Sequence, residues 1–404
     1  MPNIKPDIEA FARIKVIGVG GSGKNAINHM IQSKVKGVDF IVVNTDAQDL
    51  HGSLAKKKIH IGKNITRGLG TGMNPELGRR AAEENRDEIQ ETVKGADMVF
   101  VTGGFGGGTF TGASSVVARI AKELGCLTVG VATRPFFFEG RQRTRIADSG
   151  LEDLRKEVDA IIVIPNDRLL AAVNKDTTVK DAFGMCDDIL RHAVEGIADL
   201  ITTPGLINID FADIRTVMEN AGSALMGIGR ATGENRAVEA AKAAINSPLL
   251  DVSITGAKGV LFSVAGGEDL TMFEIQDAAK AITESVDPEA KIIFGTVRDD
   301  KLKKNEVKVT VIATGFPEGH PANIQAKVPA ATAAEVSAAS VMKSPIEKGE
   351  RGRIFNSLGS SSKEREPVAA RAVDLNAKKD KDATKDDDDD WGAVPAFLRR
   401  SRLK

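Results

Sequence analysis

The residues best placed to do chemistry are the glycines and threonines of 103–112, Gly-Gly-Phe-Gly-Gly-Gly-Thr-Phe-Thr-Gly. An apolar run at 98–101 enters this stretch, and apolar residues spaced for a helix leave it: Ala113, Val116, Val117, Ile120, Ala121 and Leu124. The pattern reads as strand, loop, helix. Six glycines in ten residues permit positive φ and let a ligand approach the backbone without Cβ clashes. The helix that follows offers unpaired N–H groups and the positive end of its dipole, which together select an anion, most often phosphate. A flexible loop without a ligand is the competing explanation. The threonines and the helix directly behind them argue against it.

A second glycine loop lies near the N-terminus. A β-branched run at 13–20 leads into Gly21-Ser22-Gly23-Lys24-Asn25, then a helical pattern (Ala26, Ile27, Met30, Ile31), then a strand at 38–43 ending in Asn44-Thr45-Asp46. Three meanings are open. Gly18-x-Gly20-x-x-Gly23 with Asp46 about twenty residues on fits a dinucleotide fingerprint. Gly18-x4-Gly23-Lys24 is close to a phosphate-binding Walker A loop, but Asn25 stands where a Ser or Thr would ligate Mg²⁺. The third is a nucleotide loop that shares its ligand with 103–112.

Other residues carry weaker signals. Glu139 and Arg143, four apart at a helix start, form either an ordinary i,i+4 ion pair or ligand contacts, and the residues alone favour the pair. The three phenylalanines at 136–138 read as packing. Asp210 and Asp213 stand three apart where a loop becomes a helix. Helix capping is the plain reading, and carboxylates that polarise water or hold a cation are the sharper one. Cys126 and Cys186 sit among apolar neighbours and read as buried free thiols rather than nucleophiles.

These residues need elements to hold them. Strands alternating with helices through the first 170 residues imply a parallel, doubly wound α/β sheet, whose ligands sit at the strands' C-terminal ends. The loops at 18–25, 44–46, 68–73, 103–112 and 165–167 all fall at such ends. A charged helix is expected over 74–93, and a long one over 179–201, with an apolar stripe broad enough to be buried between two domains. Helices at 234–245 and 271–283, with strands near 259–264, 291–297 and 306–314, make a second α+β domain. The expected division is a nucleotide-binding domain at 1–177, the central helix at 178–204, the α+β domain at 205–317, a disordered linker at 318–385 and a partner-binding peptide at 386–404.

The linker holds one aromatic, Phe355, in a stretch rich in Ala, Ser, Lys and Glu, too little to offset the entropy of folding. Five aspartates (386–390) precede Trp391, after which Val394, Phe397 and Leu398 share one helical face, as a peptide made for a groove would. The chain of 404 residues has 55 basic and 56 acidic side chains, a net charge of −1. No global field therefore favours nucleic acid or a membrane surface. No signal-peptide h-region and no spanning apolar run are seen, so a cytoplasmic location without membrane insertion is expected.

Taken together, several stretches resemble the tubulin/FtsZ family of GTPases in its bacterial cell-division branch. They are Gly-Gly-Gly-Thr-Phe-Thr-Gly at 106–112, Asn-Thr-Asp-Ala-Gln at 44–48, Pro-Asn-Asp at 165–167, Asn208-x-Asp210-Phe211-Ala212-Asp213 and Pro395-Ala396-Phe397-Leu398. The resemblance covers about 14–315 and 390–400. It implies a GTPase, with GTP/GDP and Mg²⁺ as cofactors, that polymerises head to tail into the division ring at mid-cell. Gly21, Ser22, Gly23, Lys24, Asn25, Gly107, Gly108, Thr109, Phe110 and Thr111 would cradle the phosphates, with Asp46 also at the nucleotide. Glu139 and Arg143 would contact ribose and phosphate, Asn166 and Asp187 the guanine edge, and Phe183 would stack on the base. Asn208, Asp210 and Asp213 would act on the nucleotide of the next subunit. Trp391, Pro395, Phe397, Leu398 and Arg399 would bind membrane-tethering and regulatory partners.

Two departures stand out. Lys24, within a glycine run, would add attraction for phosphate. Phe110 replaces a glycine: it would be strained if the position needs positive φ and tolerated for nucleotide binding if the position is helical. Its ring beside the γ-phosphate would slow hydrolysis, so that Phe110→Gly is expected to raise turnover several-fold with little change in affinity. A nucleotide-binding filament with little hydrolysis is thus the alternative function, and an NAD-dependent oxidoreductase a distant third.

Overall fold

The computed structural model describes residues 12–171, 177–203, 205, 207, 209–247, 253–267, 269–299, 302–303 and 305–317. The expected linker, the C-terminal peptide and Asn208 lie outside the described residues.

In chain order the elements are β1 (Ile14–Val19), α1 (Gly20–Gln32), β2 (Val38–Asn44), α2 (Ala47–His51), β3 (Lys57–His60), α3 (Lys63–Thr66), α4 (Pro75–Glu84) and α5 (Arg86–Val93). There follow β4 (Met98–Gly104), α6 (Thr109–Glu123), β5 (Leu127–Arg134), a 3₁₀ turn (Phe137–Glu139), α7 (Arg141–Glu157), β6 (Ala160–Pro165), α8 (Asn166–Ala171) and α9 (Val179–Thr202). The second half contributes α10 (Phe211–Met218), β7 (Gly222–Thr232), α11 (Arg236–Ile245), β8 (Gly259–Gly266), α12 (Met272–Thr283), β9 (Lys291–Arg298) and β10 (Glu306–Thr314).

The strands form one sheet in the order β3-β2-β1-β4-β5-β6-β7-β10-β8-β9. β1 to β6 run parallel, as the alternating pattern requires. The strand order reverses between β1 and β4, and ligands of open α/β sheets sit at such a switch point. Both glycine loops leave this pair of strands.

One strand is absent from the expectation. β7, with the sequence Gly-Ser-Ala-Leu-Met-Gly-Ile-Gly-Arg-Ala-Thr, is too rich in small residues to show a strand pattern. It pairs in parallel with β6 through Gly222, Ser223 and Ala224, and antiparallel with β10 along Leu225 to Thr232. The two expected domains therefore share a continuous sheet.

The charged helix expected over 74–93 is two helices. Asn85 leaves the helical conformation (φ −107°, ψ 25°), and its Oδ1 accepts a bond from the Gly62 amide at 2.9 Å. A side chain that bonds to a distant backbone competes with the helix ladder.

Three buried clusters fill the faces. One lies between α1, α9 and one face of the sheet across both halves, including Met30, Phe100, Ile189, Ile197 and Ile312. A second, under α4 to α7, includes Ile17, Val101, Phe110 and Leu154. The third packs α11 and α12 on β8 and β10. α9 has the apolar stripe expected of a central helix, with Cys186, Ile189, Leu190, Ala193, Val194, Ile197 and Leu200 buried. Cys126 and Cys186 are free and buried, as expected.

Candidate nucleotide site

Two helix N-termini meet at the switch point. α1 begins at Gly20 and α6 at Thr109; neither has a side-chain cap or an acidic residue in its first turn. Their first-turn N–H groups and dipoles thus point into one cleft with no side-chain cap among the described residues. Gly106 takes φ +95°, and a Cβ on Gly103 would stand 2.3 Å from the Phe110 ring. Only glycine serves at either place.

The cleft has a volume of 430 Å³ and is lined by Gly21, Ser22, Asn25, Gly107, Gly108, Thr109, Phe110, Glu139, Arg143, Asn166, Phe183 and Asp187 among the residues expected. Gly20, Gly104, Phe105, Thr133, Pro135, Cys186 and Leu190 complete the wall. Sequence reasoning missed these, although Gly20 and Gly104 lie within the two glycine runs it singled out.

Gly23, Lys24, Asp46 and Thr111 do not line the cleft. Gly23 is packed against Gly18 and the Thr102 carbonyl. Asp46 caps α2, accepting from the Asp49 amide at 2.9 Å. Thr111 is buried, with its Oγ1 accepting from the Gly106 amide at 3.1 Å, so it holds the loop in shape. Lys24 is tied to Asp49, whose other oxygen accepts from Asn44 Nδ2 at 2.8 Å. The expected extra attraction of Lys24 for phosphate is therefore largely neutralised.

At the other end of the cleft the groups suit a base and sugar. Phe183 is 43% exposed, and the fully buried Phe136 meets its ring edge-on at 5.3 Å. The three phenylalanines pack on one another, Phe138 stacking on Phe136 at 5.0 Å and meeting Phe137 edge-on at 6.0 Å, but only Phe136 is buried; Phe137 and Phe138 are exposed. Asn166 is 5% exposed, and its Oδ1 has no partner among the described residues, so the site leaves an acceptor for an incoming N–H or O–H. Burial pushes the Asp187 carboxyl up to about 6, with His29 opposing and Asp188 adding to the rise. Cys186 lies beside it, its thiol pushed up to about 12, mainly by burial; a nucleophilic thiolate is not available there. Glu139 and Arg143 form the ion pair (2.6 Å) and both face the cleft.

Phe110 occupies the first turn of α6 and is 2% exposed; its ring meets Phe105 edge-on at 4.9 Å. This is the tolerated, helical case: the ring enters the core beneath the loop, while the backbone stays at the cleft wall.

Asp210 and Asp213 lie elsewhere. From Asp187 to the end of α9 at Thr202 the helix advances about 22 Å, and both aspartates follow that end. Both are exposed. Asp210 caps α10, accepting from the Ala212 amide at 3.2 Å, and Asp213 sits in its first turn. Among the described lining residues the ionisable ones are Glu139, Arg143, Cys186 and Asp187; none belongs to either glycine loop.

Comparisons with known proteins agree with this geometry. Residues 13–174 match the GTPase domain model of the Tubulin/FtsZ family, and 222–317 match the C-terminal domain model of the FtsZ family. An empty FtsZ dimer from M. jannaschii is 47% identical, with a TM-score of 0.72, over 75% of this chain and 88% of that one. A tryptophan-to-tyrosine mutant of M. jannaschii FtsZ is 46% identical, with a TM-score of 0.73, over 76% and 92%. CetZ2 from Haloferax volcanii, solved as a GTPγS-bound protofilament, shares the fold at 20% identity and a TM-score of 0.65, over 76% and 94%. The chain therefore belongs to the FtsZ family, and it is a GTPase.

Proposed function

We propose that this GTPase assembles head to tail into filaments of a cell-division ring, and that each nucleotide site becomes catalytic only when the next subunit adds Asp210, Asp213 and Asn208. The observation that carries this is the division of chemistry along the chain. The cleft has a stacking ring, buried acceptors for a base and two open helix N-termini for phosphates, yet its glycine loops present no ionisable side chain to it. The exposed Asp210 and Asp213 stand a helix length away from it. A head-to-tail contact of this kind does not close on itself and so produces a filament.

Within the cleft, Phe183 stacks on guanine, and Asp187 accepts from its N1–H and 2-amino group. Asn166 bonds the base, Glu139 and Arg143 hold ribose and phosphate, and the first turns of α1 and α6 hold the phosphates. Mg²⁺ fits here only as an ion carried by the phosphates: the Ser22 and Thr109 hydroxyls are at hand, but no group of three or more acidic, His or Cys side chains that could hold a metal is found among the described residues. When bound, it would offset phosphate charge. The peptide carrying Trp391, Pro395, Phe397, Leu398 and Arg399 takes the tethering partners and places the filament at mid-cell. No described helix is long and apolar enough to cross a membrane.

GTP turnover per molecule, measured against protein concentration alongside sedimentation, tests the proposal. Turnover should be negligible below a threshold concentration and rise with the sedimenting fraction. Constant turnover per molecule from dilute to concentrated protein would overturn it.

A further inference from the structure

α1 and α9 both border the cleft, and a polar contact between His29 and Asp188 joins them. α1 presents its N-terminus to the cleft and ends with His29 in its last turn. α9 carries Phe183 and Asp187 into the same cleft from its first turns. The next residue, Asp188, projects about 100° further around the helix, out of the cleft lining and toward α1. There its Oδ1 lies 2.9 Å from His29 Nε2, and the same oxygen accepts from Arg191 Nε at 3.3 Å and Nη2 at 3.1 Å.

We propose that His29 is a positioning residue for base recognition, fixing the rotation of α9 through Asp188 so that Asp187 and Phe183 face the base. The proposal rests on the reading above that Asp187 binds the guanine edge. His29 does not touch the cleft and acts on the nucleotide only through α9. A side chain that reads two donors on a flat edge needs its angle set, and rotation of α9 by a fraction of a turn would spoil it while leaving the phosphate sites on α1 and α6 intact. Arg191 braces Asp188 from within α9 and cannot set the helix against its neighbour. His29 can, because it belongs to the other helix. Its proximity also favours the ionised form of Asp187 that accepts hydrogen bonds.

The test compares GTP with ITP, which keeps the phosphates, the ribose and N1–H but lacks the 2-amino group. Binding of both is measured for the full-length wild type and for His29→Ala, His29→Gln and Asp187→Ala, with thermal melting as a check on folding. Loss of one charged hydrogen bond corresponds to about a tenfold change. His29→Ala should lose about that factor of GTP-over-ITP preference, with GTP weakening more than ITP because ITP offers Asp187 only N1–H and so has one bond fewer to lose, the phosphate sites being untouched. His29→Gln, whose amide can reach Asp188 from the position of Nε2, should restore most of the preference. Asp187→Ala should abolish it. Equal weakening of GTP and ITP in His29→Ala would mean a purely structural role and overturn the proposal. So would an unchanged preference in His29→Ala when Asp187→Ala has lost it. Wild-type preference in Asp187→Ala would instead overturn the reading of the base site itself.

Discussion

Phe110 and Asp187 show how far the identity of a residue determines its work. Phe110 stands in the phosphate loop of the sequence, yet in space its ring belongs to the core beside Phe105 and under Gly103. A rise in turnover on Phe110→Gly, which a ring beside the phosphates would imply, is not expected. The substitution should instead lower stability by about 3–5 kcal/mol and leave turnover per folded molecule near wild type, as read by denaturant unfolding and phosphate release on the same preparations. Asp187 carries a proton up to about pH 6 in the unliganded cleft. The acceptor role proposed for it requires the anion, so the proton and guanine would compete for it. GTP affinity should hold above that value and fall as pH drops through about 6, approaching tenfold per pH unit. Asp187→Ala should flatten the profile when nucleotide binding is measured across this range.

Elements were legible where their pattern was strong and hidden where it was not. The parallel strands and α9 follow directly from β-branched runs and a period near 3.6. β7 escaped because its small residues are buried by neighbouring strands rather than by side-chain bulk, and it is the element that makes the sheet continuous. The break at Asn85 escaped because its cause is a bond to Gly62, distant in sequence. The site was legible in outline for a related reason. Glycine loops announce themselves locally, whereas the pairing of Lys24 with Asp49 and the turning of the Phe110 ring into the core depend on packing.

α9 also holds a pH liability that no pattern reveals. His192 is pushed down from 6.5 to about 3, first by burial and then by Arg191, whose Nη2 donates to its Nε2 at 2.7 Å. The unfolded chain takes up a proton near 6.5 that the folded helix refuses. The stability this ring permits is therefore complete above that pH and is lost as pH falls toward about 3. His192→Gln should reduce the acid sensitivity of unfolding without changing the neutral melting temperature greatly, as followed by melting curves across the acid range.

For the whole molecule, the proposed reaction is divided between two copies. One subunit would supply base recognition and phosphate binding at the switch point, and the exposed start of α10 on another would supply the carboxylates. The most direct test mixes two variants that each lack one half. Asp213→Ala keeps its own cleft but offers its neighbour no carboxylate at that position, so alone it should bind GTP and release little phosphate. Asp187→Ala keeps its Asp213 but binds GTP poorly, so at a GTP concentration that fills only intact clefts it too should be nearly silent. Phosphate release is followed across mixing ratios at constant total protein, with co-sedimentation showing that both variants enter the same filaments. An intact cleft followed by an intact Asp213 should then recur by chance, and turnover should peak near the equal mixture at about a quarter of the wild-type rate for random order along a head-to-tail polymer. Release that stays at the sum of the two separate activities at every ratio, while both proteins sediment together, would contradict the shared site.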